Sequence, residues 1–91
     1  NALRNLNFLE NYPRLNVLNI AFNYRIINLS PLDQANKIRE LNIRGLNPDS
    51  IKPLKRMRSL KTLFYYSDDL GFFQRRAIDK YCEDYSWNCK E

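Results

Sequence analysis

The chain has no histidine, and that absence removes the side chain that most often serves as general base or metal ligand near neutral pH. Its two cysteines cannot form a tetrahedral zinc site alone, and the sequence groups no carboxylates with them. Glycine is just as scarce. With only Gly45 and Gly71, there is no glycine-rich loop to cradle phosphate. The hydroxyls of Ser30, Ser50, Ser59, Thr62, Ser67 and Ser86 have no base beside them and no glycine-rich elbow, so nucleophilic catalysis has no starting point. Adjacent Asp68 and Asp69 suit a turn and a helix start better than convergence on a substrate. No run approaches the roughly 18 apolar residues of a membrane span, and no basic segment precedes an apolar one as in a signal peptide. The expectation is a non-enzymatic protein with no cofactor, no metal, no small-molecule substrate and no membrane attachment.

What the chain does have is a period. Leu3, Leu6, Leu9, Tyr12, Leu15, Leu18 and Ile20 define a spacing that returns at Ile26, Leu29, Leu32, Ala35, Ile38, Leu41 and Ile43. It returns again at Pro48, Ile51, Leu54, Met57, Leu60, Leu63 and Tyr65. Of these 21 positions, all but Pro48 are apolar, whereas a random scatter at 44% hydrophobic content would fill roughly nine. Within each unit, steps of three residues give way to a step of two. That alternation predicts short parallel strands near 16–21, 39–44 and 61–66, each with one buried face. The units are offset by 23 and then 22 residues, Leu18 to Leu41 to Leu63, and the extra residue falls in the turn between Asn23 and Ile26. Pro31 and Pro53 fall at equal offsets and stiffen the turns opposite the strands. Pro48 reads as turn punctuation with a shallow contact.

The stretch Leu15-Asn-Val-Leu18-Asn-Ile20-Ala-Phe-Asn23 is similar to the Leu-x-x-Leu-x-Leu-x-x-Asn signature of the leucine-rich repeat family. Leu29-Ser-Pro31-Leu32 and Ile51-Lys-Pro53-Leu54 resemble the internalin-like subclass, whose repeats run to about 22 residues. The resemblance covers residues 3–68. It implies an α/β fold: a short solenoid with parallel strands on its concave face. The family's ladder asparagine is matched by Asn23 alone, since Leu46 and Asp68 stand at the equivalent positions. The Leu46 turn must therefore satisfy its backbone otherwise, through Gly45 or Asn47.

The reading divides residues 1–91 into an opening half-turn or N-terminal cap (1–13), repeats (14–68) and a C-terminal helical cap (69–91). In the last part Phe72, Phe73, Ala77, Ile78, Tyr81, Cys82 and Tyr85 recur at helical spacing, which predicts a helix whose phenylalanines cover the last leucine layer. The alternative use of Phe72 and Phe73 is as an exposed docking site. Cys82 and Cys89 stand either as a disulfide in an oxidising compartment or as a small buried residue and a terminal thiol. The compartment is open, with the cytoplasm preferred to secretion. Because the first residue is Asn, the chain is expected to be processed or part of a longer protein, and upstream repeats are one reading of residues 1–13.

Side chains between the buried residues of each strand would form columns on the concave face. They are Asn16, Arg39, Lys61; Val17, Glu40, Thr62; Asn19, Asn42, Phe64; and Ala21, Arg44, Tyr66. Arginine and tyrosine combine large contact area with directed hydrogen bonds, so a protein partner is expected to meet Arg39, Asn42, Arg44, Lys61, Phe64 and Tyr66. The net charge of +5 favours an acidic partner. A second basic run, Lys52, Lys55, Arg56, Arg58 and Lys61, is interleaved with core residues rather than accessible aromatics, so nucleic acid is not the expected ligand. A structural segment ending a longer array, with its binding surface upstream, is the alternative.

Overall fold

The computed structural model describes residues 3–91 as a small α/β protein built on one four-stranded parallel sheet. Strands β1 (Val17–Asn19), β2 (Glu40–Asn42), β3 (Thr62–Phe64) and β4 (Asn88–Lys90) lie in sequence order. The first three are three residues long, shorter than the six-residue stretches the alternation predicts. The ladder nevertheless runs past the strand ends. Arg39 N donates to Asn16 O at 2.7 Å before the strands, and Phe22 N donates to Arg44 O at 2.8 Å after them.

Each of the first three strands is preceded by a 3₁₀ turn: Asn7–Asn11, Ser30–Gln34 and Lys52–Arg56. Pro31 and Pro53 are the second residues of the second and third turns, within the first turn whose N–H groups have no acceptor in the helix, so a missing N–H leaves no carbonyl unsatisfied. Between turns and strands sits the core. Of the 21 periodic positions, 18 are buried, and the exceptions Leu3, Tyr12 and Leu15 all belong to the first unit. Pro48 is buried too, a correction to the shallow contact expected of it. Its neighbours explain the difference: Asp49 N donates to Ile27 O at 2.9 Å, and Pro48 O accepts from the Gln74 side chain of the C-terminal helix.

Asn23 is the one buried polar side chain among the described residues, and its amide is fully employed. Nδ2 donates to Ile20 O at 3.0 Å and Ala21 O at 3.3 Å, while Oδ1 accepts from Leu3 N at 3.2 Å. At the equivalent position Leu46 is buried and offers no side-chain hydrogen bond, and Leu46 N donates to Ile43 O at 3.1 Å. The preceding residue is left-handed in both units, Phe22 at φ 63° and Gly45 at φ 81°.

Helix α1 spans Phe72–Asp84. Asp68 and Asp69 lie in a 3₁₀ turn before it, so the N-cap is Gly71, whose amide donates to Gln74 Oε1 at 3.2 Å. Ile78 packs into the core with Ala77, Tyr81 and Cys82 around it, joined by Leu70 and Trp87. The expected phenylalanine cover is corrected here: Phe72 is 57% exposed and Phe73 82%, because they stand on the first turn and project away from the sheet. Cys82 and Cys89 form a disulfide, so the free-thiol alternative does not hold. The bond ties α1 to β4, a strand absent from the sequence reading, which pairs Asn88, Cys89 and Lys90 with Thr62, Leu63 and Phe64.

Candidate functional site

The sheet register fixes which side chains share the outward face. Val17, Glu40, Thr62 and Asn88 form one row, and Asn19, Asn42, Phe64 and Lys90 the next. The first three members of each row are the expected ones, and β4 adds the fourth. Asn19 and Asn42 then do the same work in successive units. Each side-chain oxygen accepts the amide two residues on, Ala21 N and Arg44 N, both at 3.0 Å, which closes the strand exit with a local side-chain turn.

That turn delivers Arg44 onto a pair of rings. Its guanidinium carbon lies 4.8 Å from the Phe64 ring centroid and 5.3 Å from that of Tyr66. Such contacts are worth about 0.5–2 kcal/mol each, and they hold a long side chain in one place. Nη2 donates to the backbone oxygen of Glu91 at 2.9 Å, whereas Nε is buried without a hydrogen-bond partner. Lys90 Nζ sits 5.8 Å from the Phe64 centroid. Tyr66 continues the cluster to Phe22 at 6.1 Å between centroids, and Phe22 to Tyr24 at 6.3 Å. Phe22, Tyr24 and Tyr66 are all exposed, so the rings form an open strip.

Glycine is required opposite this strip. A Cβ on Gly45 would lie 2.5 Å from Phe22 Cδ1, so only a bare backbone lets the Phe22 ring rest on the next turn. The six expected contact residues therefore divide. Arg44, Phe64 and Tyr66 come together, and Asn42 lies beside them with its oxygen committed to the turn. Arg39 and Lys61 stand exposed at the other end of the strands, bordering a shallow groove with Val17, Glu40 and Thr62. Sequence reasoning missed Phe22, Tyr24, Lys90 and Glu91. The signal for the first two was available, since they flank Asn23 and so must emerge at the strand exit beside Ala21.

Glu91 anchors the end of β4: its Oε1 accepts from Ser67 N at 2.8 Å, and hydrogen bonding from Ser67 holds its carboxyl below the ordinary range. On the buried side of the sheet, burial pushes the Tyr65 phenol up, with the Glu91 and Asp79 carboxylates adding to the effect.

The basic run lies elsewhere. Lys52, Lys55 and Arg56 are on the third 3₁₀ turn and Arg58 follows it, whereas Lys61 belongs to the strand face. Arg56 pairs with Asp33 at 3.2 Å, both in solvent. Among the described residues no three His, Cys, Asp or Glu side chains converge as metal ligands, and no helix is long and apolar enough to cross a membrane. No protein-family model, no curated protein and no solved structure matches this chain.

Proposed function

We propose that this chain is a leucine-rich-repeat interaction module of the internalin-like type, non-enzymatic, which recognises a protein partner through the strand face of a short solenoid. The observation that carries the reading is the Arg44 cluster. A guanidinium held over Phe64 and Tyr66, with Phe22 and Tyr24 extending the aromatic surface, combines rigid apolar area with a fixed hydrogen-bond donor. Those are the properties of residues that dominate interface energetics. The repeated order of 3₁₀ turn and parallel strand, and the Asn23 side chain bonded to turn carbonyls, support the solenoid part.

The test is selection of binders from a displayed library of protein fragments, followed by calorimetry on a recovered binder. Arg44→Ala with Tyr66→Ala is expected to cost about 2 kcal/mol or more in affinity, and Lys55→Ala with Arg56→Ala almost nothing. Binding that survives the first pair and is lost with the second would move the site to the basic turn.

A second reading, a terminal segment of a longer repeat array, is favoured by one observation. The first unit alone leaves Leu3, Tyr12 and Leu15 incompletely covered, and the β1 edge has no pairing strand among the described residues. A preceding unit would cover both. Aggregation of the isolated chain, relieved by attaching one upstream repeat, would support it.

A further inference from the structure

The strand face has two unlike ends, and from this we infer that its partner presents an extended segment, acidic at one end and aromatic or apolar at the other. This rests on the strand-face reading above and specifies the chemistry recognised there. At the end where the strands begin, Arg39 and Lys61 immediately precede adjacent strands in one column, linked by Lys61 N donating to Arg39 O at 2.8 Å. Both are exposed, and among the described residues neither has an ion-pair partner. Adjacent strands are about 4.8 Å apart, so the two cations can serve a single carboxylate or two neighbouring ones. Val17 and Thr62 floor the groove between them, and Glu40 is its single acid.

At the end where the strands finish, aromatic rings dominate, and the cations Arg44 and Lys90 lie against them. Phe22, Tyr24 and Tyr66 offer open rings, and Arg44 is spread across Tyr66 and Phe64. Arg44 Nη2 is already engaged by the main-chain oxygen of Glu91, so at this end a partner meets the rings and the flat guanidinium rather than that donor. Arg44 lies five positions after Arg39. At about 3.3 Å per extended residue, and with Arg44 in the turn after the strand, the two ends are at most roughly 16 Å apart, within the reach of about five residues of an extended peptide lying along the strand direction. The segment therefore carries Asp or Glu at one end and an aromatic or bulky apolar side chain about five residues away, in either chain direction.

The experiment uses the whole chain and synthetic peptides labelled for fluorescence anisotropy. One peptide has three Glu, a flexible Ser/Gly spacer and a Trp at the inferred distance; a second replaces Glu by Lys; a third removes the Trp; and an oligothymidine serves as the nucleic-acid probe. The first peptide is expected to bind about tenfold or more tighter than the second, and to weaken as salt is raised. Arg39→Glu with Lys61→Glu removes that preference, and Tyr66→Ala removes the advantage over the third peptide, while the circular dichroism melting curve of each variant verifies folding. Equal binding of the Glu and Lys peptides, or unchanged binding by the charge-reversed variant, overturns the inference. Tighter binding of oligothymidine overturns it in favour of a single-stranded nucleic acid. If all peptides fail but a library-selected binder still depends on Arg44 and Tyr66, the acidic specificity is wrong and the interaction reading stands. If neither depends on them, both fall.

Discussion

A methyl group at Gly45 would meet the Phe22 ring at 2.5 Å on a backbone already at φ 81°. Gly45→Ala thus combines a steric clash with left-handed strain, and it is expected to lower stability by about 1–3 kcal/mol in denaturant titration. It should also displace Phe22 from Tyr66, a change that aromatic proton shifts will report. Leu41 is fully buried in the middle layer, and Leu41→Ala is expected to cost about 2–5 kcal/mol through lost burial and the cavity left behind. Its neighbour Asn42 is a poor surface control, because its side chain closes the turn at Arg44. Glu40→Ala is the better one and should stay within about 0.5 kcal/mol. Equal small losses at Leu41 and Glu40 would contradict the register. At this scale the sequence was informative about burial and silent about side-chain partners. Leu41 declares itself by period, whereas the stacking of Arg44 on Phe64 depends on two strands meeting in register.

At the scale of elements, the C-terminal part departs most from its sequence pattern. The helix was legible in the recurrence of Ala77, Ile78, Tyr81 and Cys82, which do pack toward the core. Phe72 and Phe73 fit the same pattern but not the same face, since a helix entering from a 3₁₀ turn offers its first turn to solvent. Strand β4 was not legible. Trp87-Asn-Cys89-Lys alternates covered and exposed, with Trp87 buried and Cys89 half-buried, but three residues cannot be told from a loop until a sheet edge is there to pair with them. The disulfide holds that pairing in place. Reduction should lower the denaturation midpoint by the equivalent of about 2–3 kcal/mol for so short a loop, and it should loosen Glu91 from Arg44 and Ser67. Amide exchange at Asn88 and Lys90 that is no faster after reduction would show that the strand needs no tether. Truncation after Asp69 removes α1 and β4 together, which strips Ile78 and Trp87 from the core and leaves the β3 edge open, so aggregation or loss of cooperative unfolding is the expected result.

At the scale of the whole molecule, Tyr65, just after β3, and Glu91, just after β4, each hold their proton differently in the folded chain. Burial raises the Tyr65 pKa above the ordinary 10.0, so the folded state holds that proton more tightly than the unfolded one. The stabilisation is therefore complete below pH 10 and is lost as pH rises through the higher folded value. Glu91 runs the other way: its lowered carboxyl stabilises above the ordinary 4.5 and ceases to as pH falls through the folded value. Thermal melts across the alkaline range should show Tyr65→Phe losing less stability between neutral pH and the alkaline limb than the parent chain. Parallel curves would place the alkaline sensitivity elsewhere, with Tyr81 the next candidate because burial raises it too.

Sequence alone determined the core and its layering. A spacing that alternates threes with a two can bury its apolar residues only by repeating one turn and one strand, and 18 of the 21 positions it marks are buried. It also determined the outward rows, because strand periodicity leaves each intervening residue no other side to occupy. Tertiary structure decided the rest: the fourth strand, the disulfide, the exposure of Phe72 and Phe73, and the assembly of Phe22, Tyr66 and Arg44 into one surface. The surface depends on contacts between distant residues, Phe22 with Tyr66 and Arg44 with Glu91, and the disulfide, though it spans only seven positions, matters through the strand it ties to the sheet. A local pattern records which way a side chain faces; what it meets there is set only when distant strands are brought into register.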